Sequence, residues 1–519
     1  MKKISVLTLL LIQLVVANNI SSKTYYVSPT GTSSNSGSFS SPYNYATALS
    51  KSLTAGDSLI FRGGTYSFSS KQSISKSGSS GNLVYFVAYN SEVPVFDFRT
   101  EPYNSSNPGI SLSGSYFLLK GFIIQGAGDN GLIVSGSNNV IENCIFRWNC
   151  DSGLQMKTGS NNLIINCDSY ENFDYMTGGT SSPDYGGNAD GFADKQYTNT
   201  GTNTYRYCRS WLNSDDGWDS YEKVGNTVYD SSWCYANGPA EYDMTDHIRF
   251  KTDSAAWFSK FKNTSGRYVV KNYGNGNGFK LGGNYTANNA TLNNCVSVAN
   301  TVKGFDQNNN NGAMTLYNCT GYNNKPDYGF SNASYGTLNI KNSVSLSSKS
   351  SNSFKAKTVT ETFNSWDTGF SCVTGDFVSL DVTQLINNRQ ADGSLPDISL
   401  LHQKSTSGLI DKGTNVGLTY SGTAPDLGAF EYIVSTALKN VNADVQNFTL
   451  SYSAINKEVI MSGDIAAFEF FQLNGLKIYS QKVNSNRVIV PVTNFKKGVY
   501  MVRAIMQNGN IVAKKLLIN

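Results

Sequence analysis

Histidine is almost absent from this chain, and charged residues are few. The 519 residues include only two histidines, His247 and His402, and 15% are charged. This shortage leaves little room for a Ser/His nucleophile or a histidine-ligated metal, and we expect both histidines to be structural. The 48 glycines and 31 tyrosines, with many asparagines and serines, indicate a β-rich protein with many turns rather than a helical one.

A second long apolar run is also missing. Residues 1–17 begin with Met-Lys-Lys and continue through an apolar stretch to Ala17, which is typical of a secretory signal peptide. The stretch is too short to span a bilayer, and no comparable run follows it. We therefore expect an exported protein, secreted or attached to the cell surface, without a stable membrane span.

An excess of positive charge is lacking over most of the chain. Residues 433–519 contain 10 Lys/Arg against 4 Asp/Glu, whereas residues 1–432 contain 31 against 33. A slightly acidic main region does not predict a nucleic-acid partner.

What the sequence does contain is a repeat. A Gly followed by a large apolar residue recurs with a period of 22 to 26 residues where it is uninterrupted, and a second marker follows each Gly after 13 to 17 residues. The period is close to one coil of a three-sided parallel β-helix, whose coils must stack because none can bury its apolar face alone. The apolar members are Leu132, Leu154, Phe192, Trp218, Phe279, Phe305 and Phe330.

The second marker gives the cysteines a structural role. Six of the eight cysteines occupy one column of the repeat, which predicts free, inward-facing side chains rather than disulfides or metal ligands. They are Cys144, Cys167, Cys208, Cys234, Cys295 and Cys319. Asparagines precede this column or its counterpart in several coils, and they predict a ladder of side chains hydrogen-bonded along the stack. These are Asn143, Asn166, Asn294, Asn318 and Asn342.

The two ends of the repeat predict the domain organisation. Residues 25–31 and 57–66 resemble the N-terminal cap and first coil of right-handed parallel β-helix proteins, and the pattern continues to residue 432. Residues 433–447 read as a linker, and strand-like runs over 448–519 predict a small β-sandwich. The expected fold is all-β, with a right-handed parallel β-helix (a three-sided solenoid, residues 24–432) followed by this C-terminal sandwich.

Two insertions interrupt the repeat. The interval from the second marker to the next Gly is 9 or 10 residues in most coils, but 24 residues before Gly191 and 44 before Gly278. Long loops beside one patch of a rigid stack usually build the wall of a cleft. Candidates for substrate contact in the second insertion are Arg249, Lys251 and Arg267, which could clamp carboxylates or equally be solvated, and Trp257, which could stack on a sugar ring.

Carboxylates are concentrated beside these insertions. Aligning the coils on the Gly marker places Asp190 beside Asp216, in the same segment as Asp215 and Asp219. A single Asp-Gly pair is usually only a turn, but four acids this close cannot all stay ionised without a counter-charge. Ca²⁺, which takes six to eight oxygen ligands, would supply that charge and would bridge two coils.

A lysine completes the pattern. The alignment makes Lys280 the vertical neighbour of Asp219, roughly 5 Å away. Alone, such a lysine would be a solvated charge, but a cation beside it would lower its pKa and make a neutral amine available. That amine could remove a carbon-bound proton next to a carboxylate that the metal neutralises. The nearby Asp194 and Lys195 are expected to be exposed strand charges.

These segments resemble a known family. Asn188–Phe192, Asp215–Asp219 and Gly278–Gly283 look like the signature of family nine polysaccharide lyases, which are right-handed β-helix pectic lyases. The resemblance covers roughly residues 24–432 and implies that the four aspartates bind Ca²⁺ and that Lys280 is the base. It implies an endo-acting pectate lyase that cleaves α-1,4-linked galacturonan by β-elimination and gives 4,5-unsaturated oligogalacturonides.

Three alternatives stay open from the residues. The same mechanism could act on the rhamnogalacturonan I backbone, which offers the same C5 proton. A β-helix glycoside hydrolase could use Asp190, Asp215 and Asp216 as acid and base. A non-catalytic surface glycan binder or adhesin needs only the repeats and a C-terminal sorting tail.

The C-terminal region carries a resemblance of its own. Residues 474–477, 498–500 and 514–517 resemble the C-terminal sorting domain of the type IX secretion pathway of Bacteroidetes, whereas an ordinary carbohydrate-binding sandwich is the alternative. The expected partners are an acidic pectic polysaccharide and the secretion machinery, and we expect a monomer.

Overall fold

The computed structural model describes most of the chain as two compact units, residues 1–432 and 433–519. The described residues are 22–177, 184–198, 201–249, 259–433, 448–453, 456–472, 477–507 and 511–518. The expected signal peptide, Lys251, Trp257 and residues 434–447 of the expected linker therefore lie outside the described residues.

Short strands make up almost all of the regular structure of the first unit. Its one described α-helix, α1, covers Tyr45–Leu49, and two 3₁₀ turns cover Thr374–Asp376 and Val382–Ile386. The strands in chain order are β1 (Thr24–Val27), β2 (Ser58–Phe61), β3 (Gly64–Ser67), β4 (Gln72–Ile74), β5 (Val84–Ala88), β6 (Pro94–Asp97), β7 (Ile110–Leu112), β8 (Phe117–Lys120), β9 (Ile123–Gln125), β10 (Leu132–Val134), β11 (Val140–Glu142), β12 (Ile145–Arg147), β13 (Leu154–Met156), β14 (Leu163–Ile165), β15 (Asp168–Tyr170), β16 (Phe192–Asp194), β17 (Thr202–Arg206), β18 (Arg209–Trp211), β19 (Trp218–Asp219), β20 (Gly225–Asp230), β21 (Trp233–Tyr235), β22 (Glu241–Asp243), β23 (Val269–Lys271), β24 (Phe279–Lys280), β25 (Asn288–Asn293), β26 (Val296–Val298), β27 (Phe305–Asp306), β28 (Ala313–Tyr317), β29 (Thr320–Tyr322), β30 (Tyr328–Phe330), β31 (Thr337–Lys341), β32 (Val344–Leu346), β33 (Ser353–Phe354) and β34 (Thr358–Thr362).

Three parallel sheets form the sides of a solenoid. Sheet 1 has the order β4-β7-β10-β13-β16-β19-β24-β27-β30-β33, sheet 2 the order β1-β2-β5-β8-β11-β14-β17-β20-β25-β28-β31-β34, and sheet 3 the order β3-β6-β9-β12-β15-β18-β21-β26-β29-β32. Each coil passes through the three sheets in turn and pairs with the coils on either side. This confirms the predicted all-β, three-sided parallel β-helix.

An aromatic column fills the core behind sheet 1. The rings of Phe192, Trp218, Phe279 and Phe305 stack in succession, with centroids 5.2, 4.6 and 5.3 Å apart. The Gly-aromatic marker therefore encodes an inward residue, as predicted. The column continues to Tyr328, 5.0 Å from Phe305, because β27 pairs Phe305 with Tyr328. The alignment of Phe305 with Phe330 was wrong by two residues, since both Tyr328 and Phe330 face inward on one strand.

The cysteines are free as expected, but Cys234 was wrongly assigned to the column: it pairs with Ser210 and Ser297, and Ser232 takes the place beside Cys208. All eight are free, and the six of the predicted column are buried. Cys150 is buried as well, and Cys372 is partly exposed.

The asparagine ladder exists, but mostly at other residues than those predicted. The predicted members have φ near +52 to +55°, so they form left-handed turns, and only Asn342 and Asn318 bond side chain to side chain, at 3.0 Å. The ladder instead lies between sheets 3 and 1, where each amide Nδ2 donates to the next Oδ1 at 2.8 to 3.0 Å. Its members are Asn149, Asn172, Asn213, Asn237, Asn300 and Asn324.

The second unit is a small antiparallel β domain. Its strands are β35 (Thr449–Ser453), β36 (Glu458–Gln472), β37 (Lys477–Pro491), β38 (Gly498–Met506) and β39 (Ile511–Ile518). They form one sheet in which β36 pairs with three neighbours. Register shifts between Ser462 and Ala467 bend β36, and both of its halves contribute to one apolar core. The predicted sandwich is thus a single bent sheet.

Among the described residues, we find no helix with the length and hydrophobicity that a membrane span requires.

Candidate functional site

The predicted acid and lysine residues meet on the outer face of sheet 1. Strands β16, β19 and β24 are consecutive, and their register pairs Ala193 with Asp219 and Asp219 with Lys280. The inward partners Phe192, Trp218 and Phe279 lock this register through their ring stack. Because residues alternate along a strand, Asp219 and Lys280 project outward from the same rigid column.

Three carboxylates form a compact oxygen cluster. Asp190, Asp216 and Asp219 each offer one oxygen within 4.8 Å of the others, and their exposure is 0%, 0% and 3%. We call these three residues the acid cage. They come from two adjacent coils, as the repeat alignment predicts.

Hydrogen bonds from neighbouring segments fix the cage. Asp190 Oδ2 accepts a 3.0 Å bond from the Ser152 hydroxyl, and its Oδ1 accepts a 3.1 Å bond from the Asp216 backbone N–H. Asp216 Oδ1 accepts bonds of 2.9 and 2.7 Å from the backbone and side-chain amides of Asn277. Asp190 and Asp216 are therefore oriented by the coil before or after them, whereas Asp219 Oδ1 accepts a 2.8 Å bond from the Tyr221 backbone N–H of its own coil.

Asp215 lies outside the acid cage. It is also buried, but its Oδ1 accepts a 2.5 Å bond from the Asn275 backbone N–H. Asn275 lies at the end of the second insertion. Asn272, in the same insertion, donates a 2.8 Å side-chain hydrogen bond to Ser214 O. The structure thus brings together three of the four predicted ligands, and the fourth anchors the insertion to the acidic segment.

Lys280 contacts two members of the cage. Its Nζ lies 2.9 Å from Asp216 Oδ2 and 3.4 Å from Asp219 Oδ1, and 5.6 Å from the centre of the Tyr221 ring. Burial disfavours the ammonium, but the carboxylates of Asp216 and Asp219 outweigh it and raise the pKa of Lys280 well above its ordinary value. Lys280 can act as a base only when the negative charge of these acids is offset.

The expectation for Lys195 and Asp194 was wrong. Lys195 Nζ lies 3.0 Å from Asp190 Oδ2 and 2.9 Å from Asp219 Oδ2, so it is part of the site. Asp194 is buried at the end of β16, 3.5 Å from the ammonium of the buried Lys223. The chain leaves regular alternation after β16, and spacing along the sequence alone did not reveal these partners.

The charges of the cage are unequal. Burial raises the pKa of Asp190 to about 8, and the carboxylates of Asp219 and Asp216 add to this effect. Burial also raises the pKa of Asp216. Asp219 behaves differently: burial opposes ionisation, but Lys195 and Lys280 outweigh it and lower its pKa. Asp219 is the carboxylate that both lysines hold in the charged form.

The residues of the cage fit Ca²⁺. All three donors are carboxylate oxygens, which this hard cation prefers, and three carboxylates leave part of its shell of six to eight oxygens for water and a ligand. Asp190, Asp216 and Asp219 would hold the ion, and its two charges would offset the buried acids whose pKa is raised.

The proposed substrate contacts are placed elsewhere. Arg249 has no exposed surface, and its guanidinium donates to Gly126 O at 2.7 Å and Glu101 O at 2.9 Å. It ties the second insertion to an earlier coil and is not positioned as a clamp. Arg267 is exposed and forms ion pairs with Asp243 and Asp246 on the same insertion.

The asparagine ladder positions the acidic segment. Asn213 accepts from Asn172 and donates to Asn237, each through its side chain. Because Asn213 directly precedes Ser214, Asp215 and Asp216, its fixed position sets where that segment leaves the turn. This ladder was missed although the sequence carries a signal for it, since every member follows the cysteine column, or its counterpart Ser232, by five residues.

The fold and the site together define an enzyme of the β-helix class, with a cage of acids and two lysines on one outer face. Residues 25–352 match the family described as Pel9A-like, right handed beta helix region. The chain is 38% identical to pectate lyase L of Dickeya chrysanthemi over 421 residues, which cover 78% of this chain and 90% of the relative.

Solved structures agree with this relationship. Pectate lyase Pel9A superposes with a TM-score of 0.65 at 36% identity, covering 80% of this chain and 98% of that one. A rhamnogalacturonan lyase shares the fold, with a TM-score of 0.55 at 23% identity and coverage of 74% and 97%. The chain belongs to the Pel9A-like right-handed β-helix family, and it is a polysaccharide lyase.

Proposed function

We propose that this chain is a Ca²⁺-dependent pectate lyase that cleaves α-1,4-linked galacturonan by β-elimination, with Lys280 as the base. The observation that carries the proposal is the position of Lys280 Nζ, 2.9 and 3.4 Å from two acids of a buried oxygen cage on the outer face of sheet 1. The relatives named pectate lyase support the choice of substrate.

The chemistry requires a base beside a neutralised carboxylate. A bound divalent cation would offset the charge of the cage and of the substrate carboxylate, and it would stabilise the negative charge that develops at C5. Lys280 Nζ, held on the outer face by Asp216 and Asp219, accepts the C5 proton. The C5–H electron pair forms the C4–C5 double bond, the C4–O4 bond breaks, and O4 is protonated by water.

A substrate panel tests this function. Polygalacturonate and rhamnogalacturonan I are incubated with the protein, with Ca²⁺ or with a chelator, and the ultraviolet absorbance of unsaturated ends is followed. We expect absorbance from polygalacturonate only when Ca²⁺ is present, and a rapid fall in viscosity because cleavage occurs within the chain.

The other outcomes identify the alternatives. Absorbance from rhamnogalacturonan alone would move the substrate to that backbone. Saturated products that form in the presence of chelator would indicate a hydrolase, and binding without products would indicate a glycan binder.

We also infer that the protein is exported and that the second unit serves type IX secretion. The signal-like residues 1–17 and the C-terminal segments already described support this inference. Expression of the full chain and of residues 1–432 in a bacterium with this pathway tests it. The full chain should reach the surface or medium, and the shortened chain should stay in the periplasm; equal export of both would contradict the role.

A further inference from the structure

A second ammonium group lies on the acid cage besides that of Lys280. Lys195 Nζ bridges Asp190 Oδ2 and Asp219 Oδ2 at 3.0 and 2.9 Å. Lys280 uses other atoms, Asp216 Oδ2 and Asp219 Oδ1. Lys195 is therefore the only described lysine that joins the two coils of the cage through Asp190.

These contacts compete with a metal ion. A divalent cation held by Asp190 and Asp219 would bind oxygens of the carboxylates that Lys195 now contacts. Like charges within about 4–6 Å disfavour each other strongly in a buried site. The cage therefore cannot bind the cation while the Lys195 ammonium stays in its present position.

We propose that Lys195 is a built-in counter-ion, which holds the acid cage together without a divalent cation and is displaced when the cation binds. The inference rests on the proposed cation site. In this role Lys195 is a positioning residue. It lowers the affinity of the cage for the cation, and it stabilises the folded protein when no cation is bound.

The surroundings of Lys195 allow such a displacement. It directly follows the last residue of β16, its side chain keeps 19% of its surface exposed, and both of its ion pairs are with cage acids, while the buried Asp151 also interacts with its charge. Lys223 differs, because it has no exposed surface and also donates to Gln196 at 3.2 Å. Lys195 can therefore turn outward into solvent, and the incoming cation takes the place of its charge beside the cage acids.

Charge balance also favours the exchange. Three carboxylates face two ammonium groups in the present arrangement. Adding a divalent cation while both lysines stay would place three cationic groups in one buried cluster, and their mutual repulsion is costly in a desolvated site. Release of Lys195 to solvent removes one charge at the point where the cluster meets water.

Calorimetric titration with Ca²⁺ tests the competition without relying on activity. The variants are Lys195→Met and, as a matched control, Lys303→Met, whose ammonium pairs with Asp306 at 2.9 Å outside the cage. We expect the Lys195 variant to bind Ca²⁺ on the order of tenfold more tightly, because a nearby like charge typically shifts such equilibria by a decade or more. The control should stay within about twofold of the unchanged protein.

The outcomes separate this inference from the proposed function. If the unchanged protein binds Ca²⁺ and Lys195→Met binds it equally or more weakly, the role of Lys195 is overturned while the cation site stands. If the unchanged protein binds no Ca²⁺ yet cleaves pectate, the cation site and this inference both fail.

A second measurement uses the unchanged protein and needs no variant to fold. Brief acetylation followed by peptide mass spectrometry reports the reactivity of each lysine with chelator and with saturating Ca²⁺. Lys195 should become several-fold more reactive when Ca²⁺ is present, whereas Lys303 should not change. Equal labelling of Lys195 in both conditions, at a Ca²⁺ concentration shown to saturate the site, would overturn the displacement.

Discussion

Lys280 and Asp216 form an ion pair of 2.9 Å between adjacent coils, and the Asn277 side-chain N–H, from the coil of Lys280, donates to Oδ1 of the same carboxylate. The proposed base and one proposed ligand are thus held by a common segment. The Phe279 ring beneath Lys280 stacks on Trp218 at 4.6 Å, so the core fixes the same relationship from inside. The site is the outer surface of the repeat that builds the solenoid.

Removal of one cage acid should abolish stabilisation by Ca²⁺. A ligand at 100 times its Kd stabilises the folded protein by about 2.7 kcal/mol, and Asp216→Asn should lose most of this gain because one charged ligand is gone. Differential scanning calorimetry with Ca²⁺ and with chelator measures the effect. Asp306→Asn is the control, since Asp306 lies on the next coil outside the cage. Equal stabilisation of both variants would place the ion elsewhere.

Arg249 should matter for stability and not for substrate binding. Arg249→Met leaves the buried carbonyls of Gly126 and Glu101 without their donor, which costs about 1–3 kcal/mol for each such group. The denaturation midpoint should fall clearly, while the KM for polygalacturonate, measured at a temperature where the variant is folded, should change less than about twofold. A large rise in KM at unchanged stability would restore Arg249 as a clamp.

The asparagines of the ladder should contribute more to the free energy of unfolding than the asparagines of the left-handed turns. Asn213→Ala removes the acceptor of Asn172 and the donor to Asn237 in a buried row, so we expect a loss of at least about 2 kcal/mol and a drop in activity. Asn143→Gly is the control, because Asn143 has φ of +53° and Gly adopts this region freely. Chemical denaturation compares them. Similar midpoints for the two variants would show that the ladder adds little.

Thiol titration should distinguish the native from the denatured protein. All eight cysteines are free, seven are buried, and burial raises the pKa even of the partly exposed Cys372 to about 12. We expect no more than one slowly reacting thiol in the native protein and eight after denaturation, without added reductant. Fewer than eight in the denatured protein would reveal disulfides.

The fold was predictable because the Gly-aromatic marker recurs in the sequence once per coil. The Gly-aromatic marker fixes which residue faces inward, and the ring stack from Phe192 to Phe305 follows from it directly. The prediction slipped where the marker was ambiguous, at Tyr328 and Phe330, since both residues of that strand face the core. The ladder asparagines carried a signal that was overlooked, because each lies five residues after a member of the cysteine column or after its counterpart Ser232.

The site was predictable in its register and less so in its side chains. Strand alternation places Asp219 beside Lys280, but it cannot tell that Asp215 turns to Asn275 while Asp216 joins the cage. Lys195 escaped notice for the same reason, because it lies beyond the end of β16, where alternation stops. Arg249 was expected either to clamp substrate or to be solvated, and its burial was not foreseen because burial of a loop arginine has no sequence signature.

The most direct test of the account is the rate at which Lys280→Met produces unsaturated ends from polygalacturonate in saturating Ca²⁺. Heat stability and Ca²⁺ binding, measured in parallel, show whether the variant keeps its fold and its cage. We expect both to be retained while kcat falls by about 10²–10⁴-fold, the usual contribution of a general base. A folded, Ca²⁺-binding variant with a kcat within a few fold of the unchanged protein would contradict the assignment of Lys280 as the base.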